Sequence, residues 1–439
     1  MSHVFPRHTQ ARLPVASHGD GAYLVDTEGK YYLDASGGAA VSCLGHSDAE
    51  VIDAIRQQAG TLAFAHTGFF TSAPAESLAD RLIAHAPAGL DRAYLVSGGS
   101  EAVEAALKLA RQYMLETDQP ARTRFIARRQ SYHGNTLGAL GTGGNMWRRE
   151  PFSPIMASAS HIAPCYEYRG RRDDETQHDY GQRMADELEA ELLRLGPETV
   201  IAFIAEPVVG ATAGAVPAVP GYFKRIREIC DRHGILLILD EVMCGMGRTG
   251  TLFACEQDGV APDIVCIAKG LGAGYQPIGA LLCSATIYAA IEQGSGFFQH
   301  GHTYIGHPVA CAAANAVVTK LTEGGLVARA AQMGERLNTA LQDRFGQHPH
   351  VGDIRGRGMF RGLELVEDRD SKAPFDPARK ISAKIKAAAM ENGLICYPGS
   401  GTIDGKHGDH ILLAPPFILT DDQTGELVDK LSRSLDAAL

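Results

Sequence analysis

The sequence predicts an α/β fold. Its larger part is a mainly parallel sheet flanked by helices, and a smaller α+β domain is built from both ends of the chain. Three observations predict it. Short apolar runs alternate with longer amphipathic stretches through the middle of the chain, the pattern of βαβ units. Those runs are unbroken rather than alternating, as strands covered on both faces must be. The two ends read differently, with a hairpin at the front and mixed strands and helices at the back.

The elements follow in order. Between residues 21 and 36, Tyr23-Leu-Val, a turn at Thr27-Glu-Gly and Lys30-Tyr-Tyr-Leu predict a small hairpin. Ala93-Tyr-Leu-Val predicts a strand running into the turn Ser97-Gly-Gly-Ser. A helix then starts at Ser100, with Val103, Ala106, Leu107 and Ala110 on one face. Thr123-Arg-Phe-Ile-Ala is a further strand. The Arg-rich piece Tyr168–Glu175 is expected as a solvated loop. Val200–Ala205 is a doubly buried strand, followed by a helix from about Gly221 with Phe223, Ile226, Ile229 and Cys230 inward and Gly234 as its stop. Ile235–Leu239, Asp263–Ile267 and Ile278–Cys283 are the next strands. The last third holds helices near 325–345 and 378–392 and strands near 359–366 and 411–414. The expected division is residues 1–60 and 323–439 for the small domain and 61–322 for the large one.

Composition narrows the function. The chain has 439 residues, 45 % apolar and 21 % charged, an ordinary globular balance that argues against disorder. A net charge of −10 argues against nucleic acid or an anionic membrane as partner, because both need a basic surface. The longest apolar-looking stretch, Val200–Val219, carries Glu206 with prolines and glycines and is no membrane span. No basic region followed by an apolar one opens the chain, so the expected location is cytoplasmic. The nine cysteines include no Cys-x-x-Cys pair and are expected to be buried free thiols.

Four features fall where open α/β sheets place ligands, just beyond the carboxyl ends of strands. Ser97-Gly-Gly-Ser precedes a helix, so its free amides and the helix dipole suit a phosphate; a plain turn with Ser100 as N-cap is the bland alternative. Asp240 ends an apolar strand, where a carboxylate is costly unless it meets a cation or donors, although it could simply cap the next loop. Lys269, in Cys266-Ile-Ala-Lys-Gly-Leu-Gly-Ala-Gly, leaves a strand end among glycines. Desolvation there lowers its pKa and suits it to imine formation, unless it is merely a solvated strand-end lysine. Tyr132 and His133, in Ser131-Tyr-His-Gly-Asn-Thr, offer an aromatic ring and an imidazole, or else an exposed turn.

In combination these motifs resemble the class III (omega) aminotransferases, pyridoxal-phosphate enzymes of fold type I. The resemblance runs from about Gly21 to Thr420 and includes Tyr32-Leu-Asp-Ala-Ser-Gly-Gly-Ala-Ala-Val-Ser-Cys-Leu-Gly-His and Ala414-Pro-Pro-Phe. It implies that Lys269 forms the internal aldimine and moves the proton, through a pyridoxamine intermediate. It implies that Asp240 pairs with the pyridinium nitrogen, which keeps the ring an electron sink. Val242 would pack under the ring and Tyr132 stack on its other face, with His133 beside it. Gly99 and Ser100 would hold the phosphate. Thr303, in His300-Gly-His-Thr, would reach the phosphate of a neighbouring subunit, so the unit is a homodimer with shared sites, with a tetramer left open. Glu206 matches the family's active-site glutamate, with loop capping as its alternative.

The fold does not name the substrates. Members that clamp an α-carboxylate place an arginine two residues before the Ala-Pro-Pro segment, and here that residue is Leu412. Others use a mobile arginine earlier, where this chain has Gly401-Thr-Ile-Asp-Gly-Lys-His-Gly. The acceptor's carboxylate then falls to Lys406 or to an arginine from elsewhere. Small residues at 37–40 with Phe69 or Phe70 would make an apolar donor pocket. The expected reaction moves an amino group from a primary amine or omega-amino acid to a 2-oxo acid, pyruvate first and 2-oxoglutarate second. Racemase, aminomutase, decarboxylase or lyase chemistry shares the same cofactor residues. A nucleotide-dependent oxidoreductase is more remote, because the turn lacks Gly-x-Gly-x-x-Gly spacing. A metal at His300/His302/His307 or His407/His410 is disfavoured, because no carboxylate or cysteine stands beside them at ligand spacing.

Overall fold

The computed structural model describes residues 3–439. Its centre is a seven-stranded sheet in the order Leu90–Val96, Gly279–Ser284, Ile264–Ile267, Leu236–Asp240, Val200–Ala205, Arg124–Arg128 and Ser160–Ile162. Only Gly279–Ser284 runs against the rest. All the other strands therefore deliver their carboxyl ends to one edge.

The unbroken apolar runs are explained by two cores, one on each face. In Leu236–Asp240, Leu236 and Ile238 enter one core while Leu237 and Leu239 enter the other. Ile264 and Cys266 divide from Val265 and Ile267 in the same way. Period-two alternation thus persists, but both faces are dry. The helix Gly99–Glu116 covers one face through Ala102, Val103, Ala106 and Leu109. The helices Gln177–Leu195 and Tyr222–His233 cover the other through Leu188, Phe223 and Ile226. Phe203 is wholly buried between them, and its loss to alanine would cost about 3–5 kcal/mol.

The ends join as the sequence suggests, with one strand more. Ala16–Asp20 precedes the hairpin of Tyr23–Asp26 and Tyr31–Asp34, and Leu394–Ile395 adds parallel to the last of these. Ala35 donates to the Ile395 carbonyl at 2.9 Å and accepts from Ala414 at 2.8 Å, tying the front of the chain to its back. A second antiparallel sheet orders Val351–Arg357, Phe360–Leu365, Asp409–Leu413 and Tyr397–Ser400. Helices Leu326–Phe345, Ile381–Glu391 and Asp421–Ala438 pack beside it.

The Arg-rich piece is only partly a solvated loop. Glu167–Gly170 forms a helical turn, and Arg169 Nε lies 2.7 Å from the buried Glu364. Arg355 reaches the same carboxylate at 2.7 Å and the Tyr166 hydroxyl donates to it. Unpaired, that carboxylate would be prohibitive in the core, and its cationic partners come from far away in sequence. Within it, residues 170–174 are exposed. All nine cysteines are buried and free, and burial pushes the Cys230 thiol up to about 12. Among the described residues no helix is long and apolar enough to cross a membrane.

Candidate active site

Strand register brings the predicted residues together. Leu239 pairs with Ala205 and Asp240 with Cys266, so Glu206, Asp240 and the approach to Lys269 lie level on one edge. Tyr132 and His133 follow the strand Arg124–Arg128 on the same edge, and the Ser97–Ser100 turn follows Leu90–Val96.

Asp240 is buried and its oxygens are divided. Oδ2 lies 2.8 Å from His133 Nδ1, and Oδ1 accepts from the Val242 amide at 3.0 Å. His133 Nε2 is buried without a partner, so the imidazole is oriented entirely by Asp240. Lys269 stands in a left-handed backbone conformation, φ +49°, which is strained for a residue with a Cβ. Its carbonyl accepts from Gly272 at 3.1 Å and Ala273 at 2.9 Å, and this tight turn holds the strain. Lys269 Nζ forms no hydrogen bond or ion pair with any described residue. The side chain is half-buried by area, but its ammonium end is enclosed, and desolvation pushes its pKa down to about 8. The Asp240 and Glu206 carboxylates oppose that shift, and the Arg148 guanidinium adds to it. Glu206 itself accepts from the amides of Tyr132 at 3.1 Å and Gly210 at 2.9 Å. Burial drives its pKa upward, with His133 opposing and Asp240 reinforcing.

The glycine turn is built to leave donors free. Gly98, not Ser100, is the N-cap of Gly99–Glu116, and the amides of Gly99, Ser100 and Glu101 meet no protein acceptor among the described residues. Ser100 Oγ instead accepts from the Asn135 amide at 3.0 Å, which locks this turn to the Tyr132–His133 loop. Gly134 makes the approach possible, since with φ +132° a Cβ there would sit 2.7 Å from Ser100 Oγ. Gly99 is equally constrained. A Cβ on it would lie 2.6 Å from Val242 Cγ1.

Other predicted residues fall elsewhere. Thr303 is exposed on the segment before helix Pro308–Thr322 and makes no hydrogen bond to the group above. Lys406 is exposed at a loop tip, its amide held by Asp404 at 2.8 Å. Leu412 is buried in an apolar cluster with Ala40, Met243 and Ala414, so this position supplies no carboxylate clamp. Phe69 and Phe70 are exposed and do not meet residues 37–40 within the chain; Gly37 packs instead on the Ala414 carbonyl. Among the described residues no cluster of His, Cys, Asp and Glu is placed to hold a metal.

Two arginines were not singled out by sequence reasoning. Arg248 is fully buried, donates to the carbonyls of Met359 and Pro415, and stacks 4.6 Å from the Phe417 ring centre. It ties the loop after Asp240 to the Ala414-Pro-Pro-Phe segment. Arg148 lies over the Tyr132 ring at 4.8 Å. Its only signal in the sequence was its place in Trp147-Arg148-Arg149-Glu150, two arginines beside an aromatic residue.

The aminotransferase class-III family profile matches residues 4–435. The chain belongs to the class III aminotransferases. An uncharacterized aminotransferase of Schizosaccharomyces pombe is 46 % identical over 439 residues, covering 100 % of this chain and 96 % of that one. The chain is also similar to an (S)-enantioselective omega-transaminase from Thermomicrobium roseum, at 37 % identity and TM-score 0.93, with 100 % and 96 % of the two chains covered. An amine transaminase from an uncultivated Pseudomonas species, solved in its pyridoxal-phosphate-bound form, matches at 37 % identity and TM-score 0.92, with 100 % and 99 % covered. This class III aminotransferase is a pyridoxal-phosphate-dependent transaminase, and its site fits the cofactor on three observations. Lys269 presents an unpartnered, desolvated amine. Asp240 is a buried carboxylate already oriented by two donors, able to meet a protonated ring nitrogen. The Gly99, Ser100 and Glu101 amides are free to receive a phosphate.

Proposed function

We propose that this aminotransferase moves an amino group from a primary amine or omega-amino acid to a 2-oxo acid, pyruvate before 2-oxoglutarate. The observation that carries the substrate reading is Leu412, packed in an apolar cluster where a fixed α-carboxylate clamp would need an arginine. Pyridoxal phosphate supplies the carbonyl carbon that takes up and releases nitrogen, and a ring that draws electrons from the substrate Cα. The chain's own residues do the rest. Lys269 Nζ is the nucleophile and the proton carrier. Its low pKa leaves a usable fraction neutral near pH 7, when an ordinary lysine is almost wholly protonated. Asp240 holds positive charge at the ring nitrogen, and His133 keeps Asp240 aimed. Val242 and Tyr132 bound the two ring faces, Gly99 and Ser100 hold the phosphate, and Glu206 shapes the Tyr132 loop from behind.

The reading extends to assembly. Thr303 reaches a second subunit's phosphate, making a homodimer with shared sites. Exposed Phe64 and Tyr304, with ring centres 5.6 Å apart, lie beside Thr303 and support a covered surface there. The large body spans 61–322, the small one 1–60 and 323–439, and the protein works in the cytoplasm.

The test is the visible spectrum of the enzyme loaded with pyridoxal phosphate. A yellow band that amines or omega-amino acids bleach, that pyruvate restores, and that Lys269→Ala lacks is the expected result. A band bleached only by α-amino acids would refute the donor class.

A further inference from the structure

The site described so far has no group to receive the acceptor's carboxylate. Leu412 is apolar, and Lys406 is exposed at its loop tip. Arg148 differs from the other candidates. Its guanidinium covers the Tyr132 ring at 4.8 Å and the Trp147 ring at 5.6 Å, so its faces are occupied by aromatic contact. Its edge is not. No carboxylate of a described residue lies within ion-pair distance of it, and its buried Nε has no acceptor. An arginine held by its faces with its donor fork empty is pre-organised for a planar anion. Arg148 lines a cavity of about 430 Å³ together with Arg7, Asn145, Tyr397 and Gly399. Arg148 links that cavity to the catalytic edge, because the side chain that lines it also lies over the Tyr132 ring.

We propose that Arg148 binds the carboxylate of the 2-oxo acid acceptor, with the guanidinium edge as a two-point clamp and Tyr132 as its platform. This rests on the acceptor class proposed above. It explains how a chain without an arginine at position 412 or in the 401–408 loop can still select a 2-oxo acid over a simple aldehyde. Arg148 is then a specificity residue. It sits in the chain segment after Tyr132, whereas the two arginine positions considered earlier both lie in the last forty residues.

The test uses the pyridoxal-phosphate-loaded enzyme, which has no amino group to give, so pyruvate binds without turnover. Calorimetry should show pyruvate Kd raised about 10- to 100-fold in Arg148→Gln, the range expected for losing a charged hydrogen-bonded pair, and raised less in Arg148→Lys. The ratio of kcat/KM for pyruvate to that for propanal should fall by a similar factor. Wild-type enzyme gives a second measurement that needs no variant. Phenylglyoxal labelling of Arg148, followed by peptide mass, should be suppressed by pyruvate and not by propanal. Labelling unchanged by pyruvate, or a Kd unchanged in Arg148→Gln with its yellow band intact, would overturn the assignment. If wild-type enzyme accepts neither pyruvate nor 2-oxoglutarate, the acceptor class itself fails and the clamp with it. If it accepts them and Arg148→Gln keeps the selectivity ratio, only the clamp fails.

Discussion

Lys269 is more costly to the empty protein than a neutral residue of the same size would be. Its ordinary pKa is 10.5 and burial brings it to about 8. Between those values the unfolded chain binds a proton that the folded chain does not, so this group makes stability rise with pH across that window. The full cost is present below pH 8. At 1.36 kcal/mol per unit it amounts to about 3 kcal/mol at pH 7 and falls to about 1 kcal/mol at pH 10. Lys269→Met keeps the volume and removes the charge. For 439 residues the unfolding entropy is roughly 0.9 kcal/mol/K, so the cofactor-free variant should melt about 3 °C above wild type at pH 7. The gap should shrink to about 1 °C at pH 10. Scanning calorimetry of both apoproteins at the two pH values measures it, and the titration of groups that do not face Lys269 cancels in the difference. A gap that stays constant with pH, or a variant that melts below wild type at pH 7, would refute desolvation as the cause of the low pKa.

Three further outcomes follow from the geometry. Gly99→Ala pushes a Cβ to within 2.6 Å of Val242 and should weaken pyridoxal phosphate binding about tenfold, with Val242→Ala added to it restoring most of the loss in a fluorescence titration. Asp240→Asn removes the carboxylate that orients His133 and offsets the Lys269 desolvation. Unit charges about 4 Å apart interact by roughly 4 kcal/mol at an effective dielectric of about 20, so a carboxylate lost from beneath the cofactor's ring nitrogen should lower kcat about 100- to 1,000-fold, and the Lys269 titration should move lower still. Burial alone would raise the Glu364 pKa, but Arg355 and Arg169 reverse this and hold it below 4.5. Its stabilisation is therefore complete above pH 4.5 and lost as pH falls through the lower folded value. Glu364→Gln should cost about 3–5 kcal/mol at pH 7 by urea denaturation, and that gap should narrow below pH 4.5.

The sequence alone determined the strands, their double burial and the residues that end them. Each is a local property. Leu236–Leu239 is apolar at every position because both sheet faces are covered, and a carboxylate at Asp240 or a lysine at Lys269 stands out against such a run. The termini could also be assigned to one small unit, though not the parallel pairing of Leu394 with Leu33 that joins them. What only the tertiary structure decided is who meets whom. Arg169 reads as part of a solvated run until Glu364, nearly two hundred residues away, is folded against it. Phe69 and Phe70 are natural pocket-lining residues by type, yet the fold leaves them exposed and packs Gly37 on the Ala414 carbonyl instead. Arg148 is an ordinary surface-looking arginine in sequence, and becomes a candidate clamp only when the fold lays it over Tyr132 with no carboxylate of a described residue at ion-pair distance. Apolar burial leaves a periodic trace along the chain. The partner of a charge leaves none, because electrostatic and hydrogen-bond complementarity is satisfied across space by residues whose spacing in sequence is arbitrary.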